Sequence, residues 1–208
     1  MASRSEDVKT PLATISFAGD LFKLREYDNG GKGYGCTLIF PKTADLSALE
    51  KIAVDAAVGE WGEKARKMIA DEVIKNPFLD GDGKQGKDQQ GEQRPELKGM
   101  KFIRCKSGAD FKPKVFDKKR NPVMDVDDCP SGSQVYGVVN AFTWENAKNG
   151  KGISFGISLV QVVKKAEGSE VLGGGGGPDP DKWLEKIEDD GDAAPETKDG
   201  KGAGGLFG

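Results

Sequence analysis

The sequence predicts a mainly β domain with a helical insertion, followed by a disordered acidic tail. Several short segments alternate apolar and polar residues, which is the period of a β-strand. From about residue 45 to about residue 75 the apolar residues recur at the spacing of an α-helix instead. Beyond the glycine run at 173–177 the chain is acidic and poor in apolar residues, and such a composition cannot bury enough surface to fold.

The first half of the chain contains two predicted strands and the helical insertion. The strands cover 12–18 and 34–40, and the turn sequence DNGGKG lies between them. Two helices follow over about 45–75, with apolar stripes that we expect to face the core, and Pro77 ends the second. Residues 80–96 have almost no apolar content, so we expect a mobile loop there.

Strands resume after this loop, and the last two are the longest. The predicted segments are 100–107, 113–117, 134–145 and 152–163, with Asn-Gly near the end of the final hairpin loop. About five antiparallel strands separated by turn signals are typical of a small closed barrel. The sequence thus predicts one domain over 1–172, then a flexible linker and acidic tail over 173–208.

The residue content argues against several classes of protein. The chain has no histidine, which excludes histidine-based catalytic triads and zinc sites, so we expect no catalytic residues and no cofactor. Cys36, Cys105 and Cys129 form no closely spaced pair, which is typical of reduced thiols in a cytoplasm. No stretch approaches the ~20 apolar residues of a membrane span, and the N-terminus lacks a signal-peptide pattern, so we expect no membrane partner.

The net charge of −3 hides two regions of opposite sign. Residues 97–168 carry 13 Lys and Arg against 7 Asp and Glu, whereas residues 179–199 carry 3 against 9. A basic domain joined to an acidic tail predicts electrostatic attraction within the molecule. The alternative is that both charge blocks are solvated surface and have no further role.

The strand KFIRCKS shows what the basic region is able to bind. Its period of two places Ile103 and Cys105 on one face and Phe102, Arg104 and Lys106 on the other. If the first pair faces the core, an aromatic ring and two cations share the exposed face. That combination suits single-stranded nucleic acid, because bases stack on the ring while the cations contact phosphates. The alternative is that Phe102 is buried, which leaves only a charged edge.

Basic and aromatic residues recur on other segments of the predicted barrel. Five cations accompany two phenylalanines along DFKPKVFDKKR (110–120), and three aromatic residues share one parity of the strand at 134–145. Cations spread over several loops are able to line a groove that makes few specific base contacts. The candidate nucleic-acid-binding residues are Lys42, Phe102, Arg104, Lys106, Phe111, Lys112, Lys114, Arg120, Tyr136, Trp144 and Lys151.

The tail carries two apolar residues, Leu206 and Phe207, for which we expect no role in folding. A mobile anionic tail is able to occupy a cationic groove and compete with nucleic acid for it. When nucleic acid displaces the tail, we expect Leu206 and Phe207 to anchor in a pocket of a partner protein.

One acidic segment indicates a different function. Asp125, Asp127 and Asp128 in DVDD are able to hold magnesium for a nuclease. Acidic residues are also favoured in turns, where their side chains bond the local backbone. We prefer the turn and therefore expect no metal site.

Several passages, taken in order, resemble a known family. They are YGCTLIFPK, the helical insertion ending in EWGEKA, the loop DGDGK, PELKGMKFIRCKS and NGKGISFGISLVQVV, and they run through most of residues 12–172. This order is similar to that of the single-stranded DNA-binding proteins of tailed bacteriophages. The tail departs from the family pattern, because its acids stop at Asp199 and Gly208 follows the phenylalanine.

The resemblance implies an OB-fold, which is a five-stranded barrel, and a non-catalytic protein that binds single-stranded DNA. It implies that the protein coats and protects this DNA during phage replication and recombination in the cytoplasm of the bacterial host. It also implies recruitment of phage or host replication proteins through the tail, and a homodimer is a further candidate assembly. The alternatives are a magnesium-dependent nuclease and an RNA-binding or virion-associated OB protein.

Overall fold

The computed structural model describes residues 3–26 and 30–172. The chain divides into two units after Gly174, and all of the described residues belong to the first unit. The predicted tail, with Leu206 and Phe207, lies outside the described residues.

The described residues form one ten-stranded sheet and two α-helices, which confirms the mainly β fold with a helical insertion. The helices are α1, Ser47–Trp61, and α2, Lys64–Ala70. The strands are β1 Val8–Lys9, β2 Ala13–Ser16, β3 Arg25–Glu26, β4 Lys32–Pro41, β5 Ile74–Lys75, β6 Phe78–Asp80, β7 Met100–Gly108, β8 Lys114–Phe116, β9 Gln134–Asn146 and β10 Gly150–Lys164.

Five of these strands close into a ring. β2 pairs with β4, β4 with β7, β7 with β10, β10 with β9, and β9 again with β2. A sheet closed in this way has no free edge in its wall. The ring is the small closed barrel that the sequence predicts.

One pair in the ring is parallel, which corrects the expectation of an antiparallel barrel. β7 runs parallel to β10, with Cys105 opposite Phe155. β8 follows along the same side of β10, with Val115 opposite Val160. Parallel neighbours need a long crossover connection, and here that connection contains β8 and β9. β8 therefore extends the wall that β7 begins.

The N-terminal segment extends the wall on the other side of β9. β2 pairs with β9 at Val135, β1 pairs with it at Val139, and Arg4 forms a further bridge with Phe142. Residues from Arg4 to β2 thus follow one side of β9. This arrangement brings the start of the chain onto the barrel surface.

The core fills the barrel and extends to α1. Phe40 and Phe155 are fully buried inside the barrel, and Leu49, Ile52 and Ala53 of α1 join the same apolar cluster. Complete burial of such a side chain stabilises the fold by about 1.5–3 kcal/mol. The predicted apolar stripe of the first helix is therefore a core contact.

The segment predicted as a mobile loop is held by contacts within itself and by one with β7, where the Gly81 N–H donates to the Met100 carbonyl at 2.8 Å. The Gln93 side-chain amide donates hydrogen bonds to the carbonyl oxygens of Gly81 at 2.8 Å, Gly86 at 3.3 Å and Arg94 at 3.2 Å. Leu97, at the end of the segment, is fully buried. Mobility of residues 80–96 stays a prediction, and these contacts argue against it.

The three cysteines are free thiols, and all are buried. Cys36 and Cys105 lie opposite each other on β4 and β7. The hydrogen bond to Cys105 and burial both raise the pKa of Cys36, and burial raises the pKa of Cys129 to about 12. In the described part of the chain, no helix combines the length and the apolar character needed to cross a membrane.

Candidate nucleic-acid interface

The outer face of β4 and β7 has two ends with different surroundings. Antiparallel pairing places Ile39 opposite Phe102, Thr37 opposite Arg104 and Gly35 opposite Lys106. Because side chains alternate along a strand, these six residues share the outer face. The end at Phe102 is covered, and the end at Lys106 is open.

The covered end corrects the assignment of Phe102 as a base-stacking residue. Phe102 is only 1% exposed, and it forms an outer cluster with Ile39 and Leu97. Leu79, Met100 and Leu172 pack against this outer cluster. Period-two reasoning places Phe102 on the correct face, but the segment ending at Leu97 returns over that face. The alternative, in which Phe102 is buried, is therefore the correct one.

The open end is a cleft of about 290 Å³, here called the basic cleft. Its floor is formed by the open ends of β4 and β7, and its walls come from the connection after β2 and from the segment before β7. The residues that line it are Phe17, Asp20, Arg25, Gly35, Cys36, Thr37, Arg94, Arg104, Cys105 and Lys106.

An exposed aromatic ring stands in the basic cleft under a guanidinium group. Phe17 is 46% exposed, and the Arg94 guanidinium lies 5.0 Å from its ring centroid. Phe17 has a φ of 57°, which bulky residues rarely adopt. Strained positions of this kind cluster at binding sites. The ring is therefore held at the surface by the local backbone.

Two arginines give the basic cleft its electrostatic character. Burial lowers the pKa of Arg104, and repulsion from the nearby Arg94 lowers it further. Arg94 is itself paired with Glu96, and Arg25 with Asp20 at 2.8 Å. A bound anion would offset the repulsion between Arg94 and Arg104. The cleft is thus suited to a phosphate beside a ring that is able to stack on a base.

Five predicted site residues lie in or beside the basic cleft. Arg104 and Lys106 line it, as the strand parity predicts. Phe111, Lys112 and Lys114 lie in a neighbouring cleft on the far side of Lys106, and Phe111 is 74% exposed. The structure thus brings the part of the predicted set near β7 together on one side of the barrel.

Lys42 lies elsewhere and contacts carboxylates. Its ammonium is 2.7 Å from Asp82 and 3.1 Å from Asp80, and both pairs are exposed to solvent. The hydrogen bonds that the ammonium donates to Asp82, and then to Asp80, raise the pKa of Lys42. Asp82 also accepts the backbone N–H of Gly99 at 2.8 Å. Lys42 therefore contacts the start of the segment that carries Arg94, and it does not line the basic cleft.

The remaining predicted aromatic residues are half-buried on the outer face of β9. The Lys9 ammonium is 3.8 Å from the centroid of the Tyr136 ring. The Trp144 indole N–H donates to the Ser154 hydroxyl at 3.0 Å. This face lies beyond β10 from the basic cleft, so these rings do not join the same site.

Two predicted cations have local roles instead. Lys151 lies 3.3 Å from Glu145 and 5.6 Å from the centroid of the Trp61 ring. Arg120 has a φ of 66° in the turn after β8, where its backbone N–H donates to the Asp117 carbonyl at 3.1 Å. Neither of these cations lines the basic cleft.

Three residues with aromatic or cationic side chains line the basic cleft but were not among the candidates named from the sequence: Phe17, Arg25 and Arg94. Phe17 reads as part of a strand, and Arg94 lies in a polar segment. Their positions depend on contacts between distant parts of the chain. For Phe17, the sequence did contain a signal: the aromatic residue lies at the end of the first predicted strand, directly before Ala18 and Gly19.

The acidic segment proposed for magnesium forms a turn. The Asp125 carboxylate accepts the Asp127 backbone N–H at 3.0 Å and caps a short 3-10 helix. Asp128 lies 3.5 Å from the Lys165 ammonium. Within residues 3–26 and 30–172, no group of three or more acidic, cysteine or histidine side chains is placed to hold a metal ion.

The family of the chain is identified by a match to a known family of phage proteins. The model of the family described as "Enterobacter phage Enc34, ssDNA-binding protein" matches residues 7–193. The chain belongs to this family. The match spans almost the whole sequence and confirms the resemblance to single-stranded DNA-binding proteins of bacteriophages. No curated protein matches the chain significantly.

Solved structures of phage proteins share the fold. The single-stranded DNA-binding protein of bacteriophage Enc34 in complex with ssDNA is 24% identical, with a TM-score of 0.58 over 80% of this chain and 89% of that one. The same protein solved alone is 23% identical, with a TM-score of 0.57 over 86% and 90%. The gp2.5 protein of bacteriophage T7 is 17% identical, with a TM-score of 0.54 over 92% and 100%.

Proposed function

We propose that the chain is a non-catalytic protein that binds single-stranded DNA in the basic cleft. The observation that carries the proposal is the open end of the β4–β7 face, where Arg94, Arg104 and Lys106 line the same cleft as the exposed Phe17. β4 and β7 are the second and third strands of the barrel ring. In OB-folds, the face of strands two and three is a site of oligonucleotide binding.

Family membership supports the same ligand. The family is that of a phage ssDNA-binding protein, and one similar solved structure is that of the bacteriophage Enc34 protein in complex with ssDNA. The cleft supplies the two contacts that such binding needs: cations for phosphates and a ring for bases. Since every base has a stacking face, we expect little sequence preference.

The proposed biological role is to coat and protect single-stranded DNA during phage DNA replication and recombination, in the cytoplasm of the host cell. Leu206 and Phe207 would anchor replication proteins of the phage or host, while the acidic residues at 179–199 would compete with DNA for the cleft. A second copy of the chain is a further proposed partner. The charge of the tail, opposite to that of residues 97–168, supports the competition.

Filter binding on dT, dA, rU and duplex oligomers at several salt concentrations tests the ligand. We expect dT and dA to bind more tightly than the duplex, without magnesium, and affinity to fall steeply as salt rises. Affinity that is independent of salt, or a strict requirement for one base sequence, would contradict the proposal. Tighter binding of rU than of dT would favour an RNA-binding protein, and magnesium-dependent degradation of DNA would favour a nuclease.

Deletion of residues 173–208 tests the tail. Affinity for dT should rise at low salt, because a tethered anionic competitor is gone, and the gain should shrink as salt screens both polyanions. The matched variant, in which Leu206 and Phe207 are changed to Ala, keeps the charge and should lose only partner recruitment. A drop in affinity or loss of the folded domain after deletion would show that the tail is not a competitor.

A further inference from the structure

A second cleft opens beside the basic cleft, and it is lined by residues of the N-terminal segment, of β9 and β10, and of the stretch 107–114. It has a volume of about 650 Å³, and we call it the N-terminal cleft. Its cations are Arg4, Lys112 and Lys114, and its exposed aromatic residue is Phe111. The sequence analysis did not identify Arg4 as a binding candidate, because it is far from the other three residues along the chain.

Arg4 is fixed in position by its neighbours on β9. The backbone N–H of Ser5 donates to the Ala141 carbonyl at 2.8 Å, and the Ser5 hydroxyl accepts the Ala141 N–H at 2.8 Å. The Arg4 side chain donates through Nε to Asn140 Oδ1 at 2.8 Å, and the Asn140 amide donates in turn to Asp7 at 2.8 Å. The guanidinium is therefore oriented across β9, towards β10.

Gly156 on β10 makes room for this arrangement. A Cβ atom at Gly156 would lie 2.6 Å from Asn140 Oδ1 and 3.2 Å from Arg4 Nη2, so no larger residue fits without displacing them. Gly156 is also the direct neighbour of Lys106 on β7. The Arg4 guanidinium thus lies over the position on β10 that is paired with Lys106 of β7.

The two clefts are adjacent along β7. Lys106 lines the basic cleft, and the next two residues, Ser107 and Gly108, line the N-terminal cleft. Cations therefore follow one another across the outer face: Arg104 and Lys106 on β7, then Arg4 above β10. The acidic residues of the second cleft are Asp7, which accepts from Asn140, and Asp110.

Phe111 supplies the aromatic ring that a binding site for single-stranded DNA needs in addition to cations. The backbone N–H of Phe111 donates to the Gly108 carbonyl at 3.0 Å, and its carbonyl accepts the Ser107 hydroxyl. These bonds fix the backbone while leaving the ring 74% exposed. An exposed ring next to cations on a fixed backbone is the arrangement that stacks on a base.

We propose that a single strand of DNA leaving the basic cleft continues over Lys106 into the N-terminal cleft. There Arg4, Lys112 and Lys114 contact phosphates and Phe111 stacks on a base. This inference rests on the proposed function, and it adds a second subsite that lengthens the bound stretch. A short oligonucleotide would fill the basic cleft alone, whereas a longer one would reach both.

Binding of two dT oligonucleotides, of about 5 and about 14 nucleotides, tests the second subsite, because single OB-folds bind about 4–16 nucleotides. Arg4→Ala and Phe111→Ala should each weaken binding of the longer oligonucleotide by about five- to tenfold and that of the shorter by less than about twofold. Arg104→Ala should weaken both. Lys64→Ala on α2, which lines neither cleft, is the charge-matched control and should weaken neither.

The outcomes separate this inference from the proposed function. If the unchanged protein binds neither oligonucleotide, the proposed function fails. If it binds both, and Arg4→Ala and Phe111→Ala leave the longer one unaffected or weaken both lengths equally, only the second subsite is overturned. Thermal melting of each variant guards against misfolding, and Phe111→Ala keeps the test decisive if Arg4→Ala does not fold.

Discussion

The two ends of the outer β4–β7 face differ, although they lie on the same strands and follow the same alternation. At one end Phe102 and Ile39 are covered by Leu97. At the other end Arg104 and Lys106 line an open cleft. The alternation of a strand decides which face a side chain occupies, whereas a segment from elsewhere in the chain decides whether that face is covered. Three tests address this difference, from the largest expected effect to the smallest.

Phe102→Ala should have the largest effect and should act on stability. Removal of a fully buried ring costs roughly 3–5 kcal/mol of the free energy of unfolding. Chemical denaturation measures this loss, and DNA affinity should be nearly unchanged well below the melting temperature. Phe111→Ala removes the same atoms from an exposed position and should leave the free energy of unfolding almost unchanged. Weakened DNA binding by Phe102→Ala with full stability would place its ring at the interface instead.

Arg104→Ala should act on binding and leave the fold intact. Loss of one phosphate contact should weaken binding of all sequences by about three- to tenfold at low salt and reduce the salt slope by about 1. Arg104→Lys keeps the charge and should recover part of the affinity. Filter binding over a salt series measures both quantities. A large drop in melting temperature for Arg104→Ala would mean that the open end is a structural contact like the covered end.

Lys42→Ala should have the smallest effect, visible mainly in acid. The pKa of Asp80 is held below its ordinary value of 3.8 by the backbone N–H of Asp82 and then by Lys42, and the pKa of Asp82 is lowered first by Lys42 and then by the backbone N–H of Gly99. A carboxylate whose pKa is lowered in the folded state stabilises the fold above its unfolded pKa, and that contribution is lost as pH falls through the folded pKa.

The measurement is the melting temperature of Lys42→Ala and of the unchanged protein between about pH 6 and pH 2. The unchanged protein should lose more of its melting temperature below about pH 4, and high salt should reduce the difference. Lys51→Ala on α1 is a matched control, because it removes an exposed lysine that is paired with Asp55. Identical acid profiles for Lys42→Ala and the unchanged protein would show that Lys42 does not stabilise the segment that carries Arg94.

The long strands were predictable because their pattern is local. β7, β9 and β10 follow the predicted segments closely, since alternation and the Asn-Gly turn are properties of neighbouring residues. β2 is shorter than predicted, because the chain leaves the strand at Phe17 with a φ of 57°. The two-residue strands β1, β3 and β5 carry too few residues for any period to show, and the parallel pairing of β7 depends on the route of the chain after it.

The candidate site was predictable only where it lies on a strand. The alternation along β7 correctly identified Arg104 and Lys106 as outward-facing. It could not show that Arg94 would be brought to Phe17 from a segment far along the chain, because that placement depends on Gln93, Leu97 and the contacts of Lys42. When loops bring distant residues together, no local sequence pattern indicates that these residues will be in contact.

The closure of the five-stranded ring affects how the protein folds while it is being synthesised. β2 must wait for β9, with Ala13 opposite Val135, and the N-terminal bridge must wait for Phe142. At translation rates of ~5–20 residues per second, β2, which also pairs with the early strand β4, therefore waits on the order of ten seconds before its second partner exists. Until β10 is synthesised, β7 keeps an unpaired edge at Cys105 and Lys106, beyond the stretch that pairs with β6, and such an edge is a template for association with other chains. Folding of this barrel on the ribosome is therefore expected to finish only after the last wall strand has left the exit tunnel.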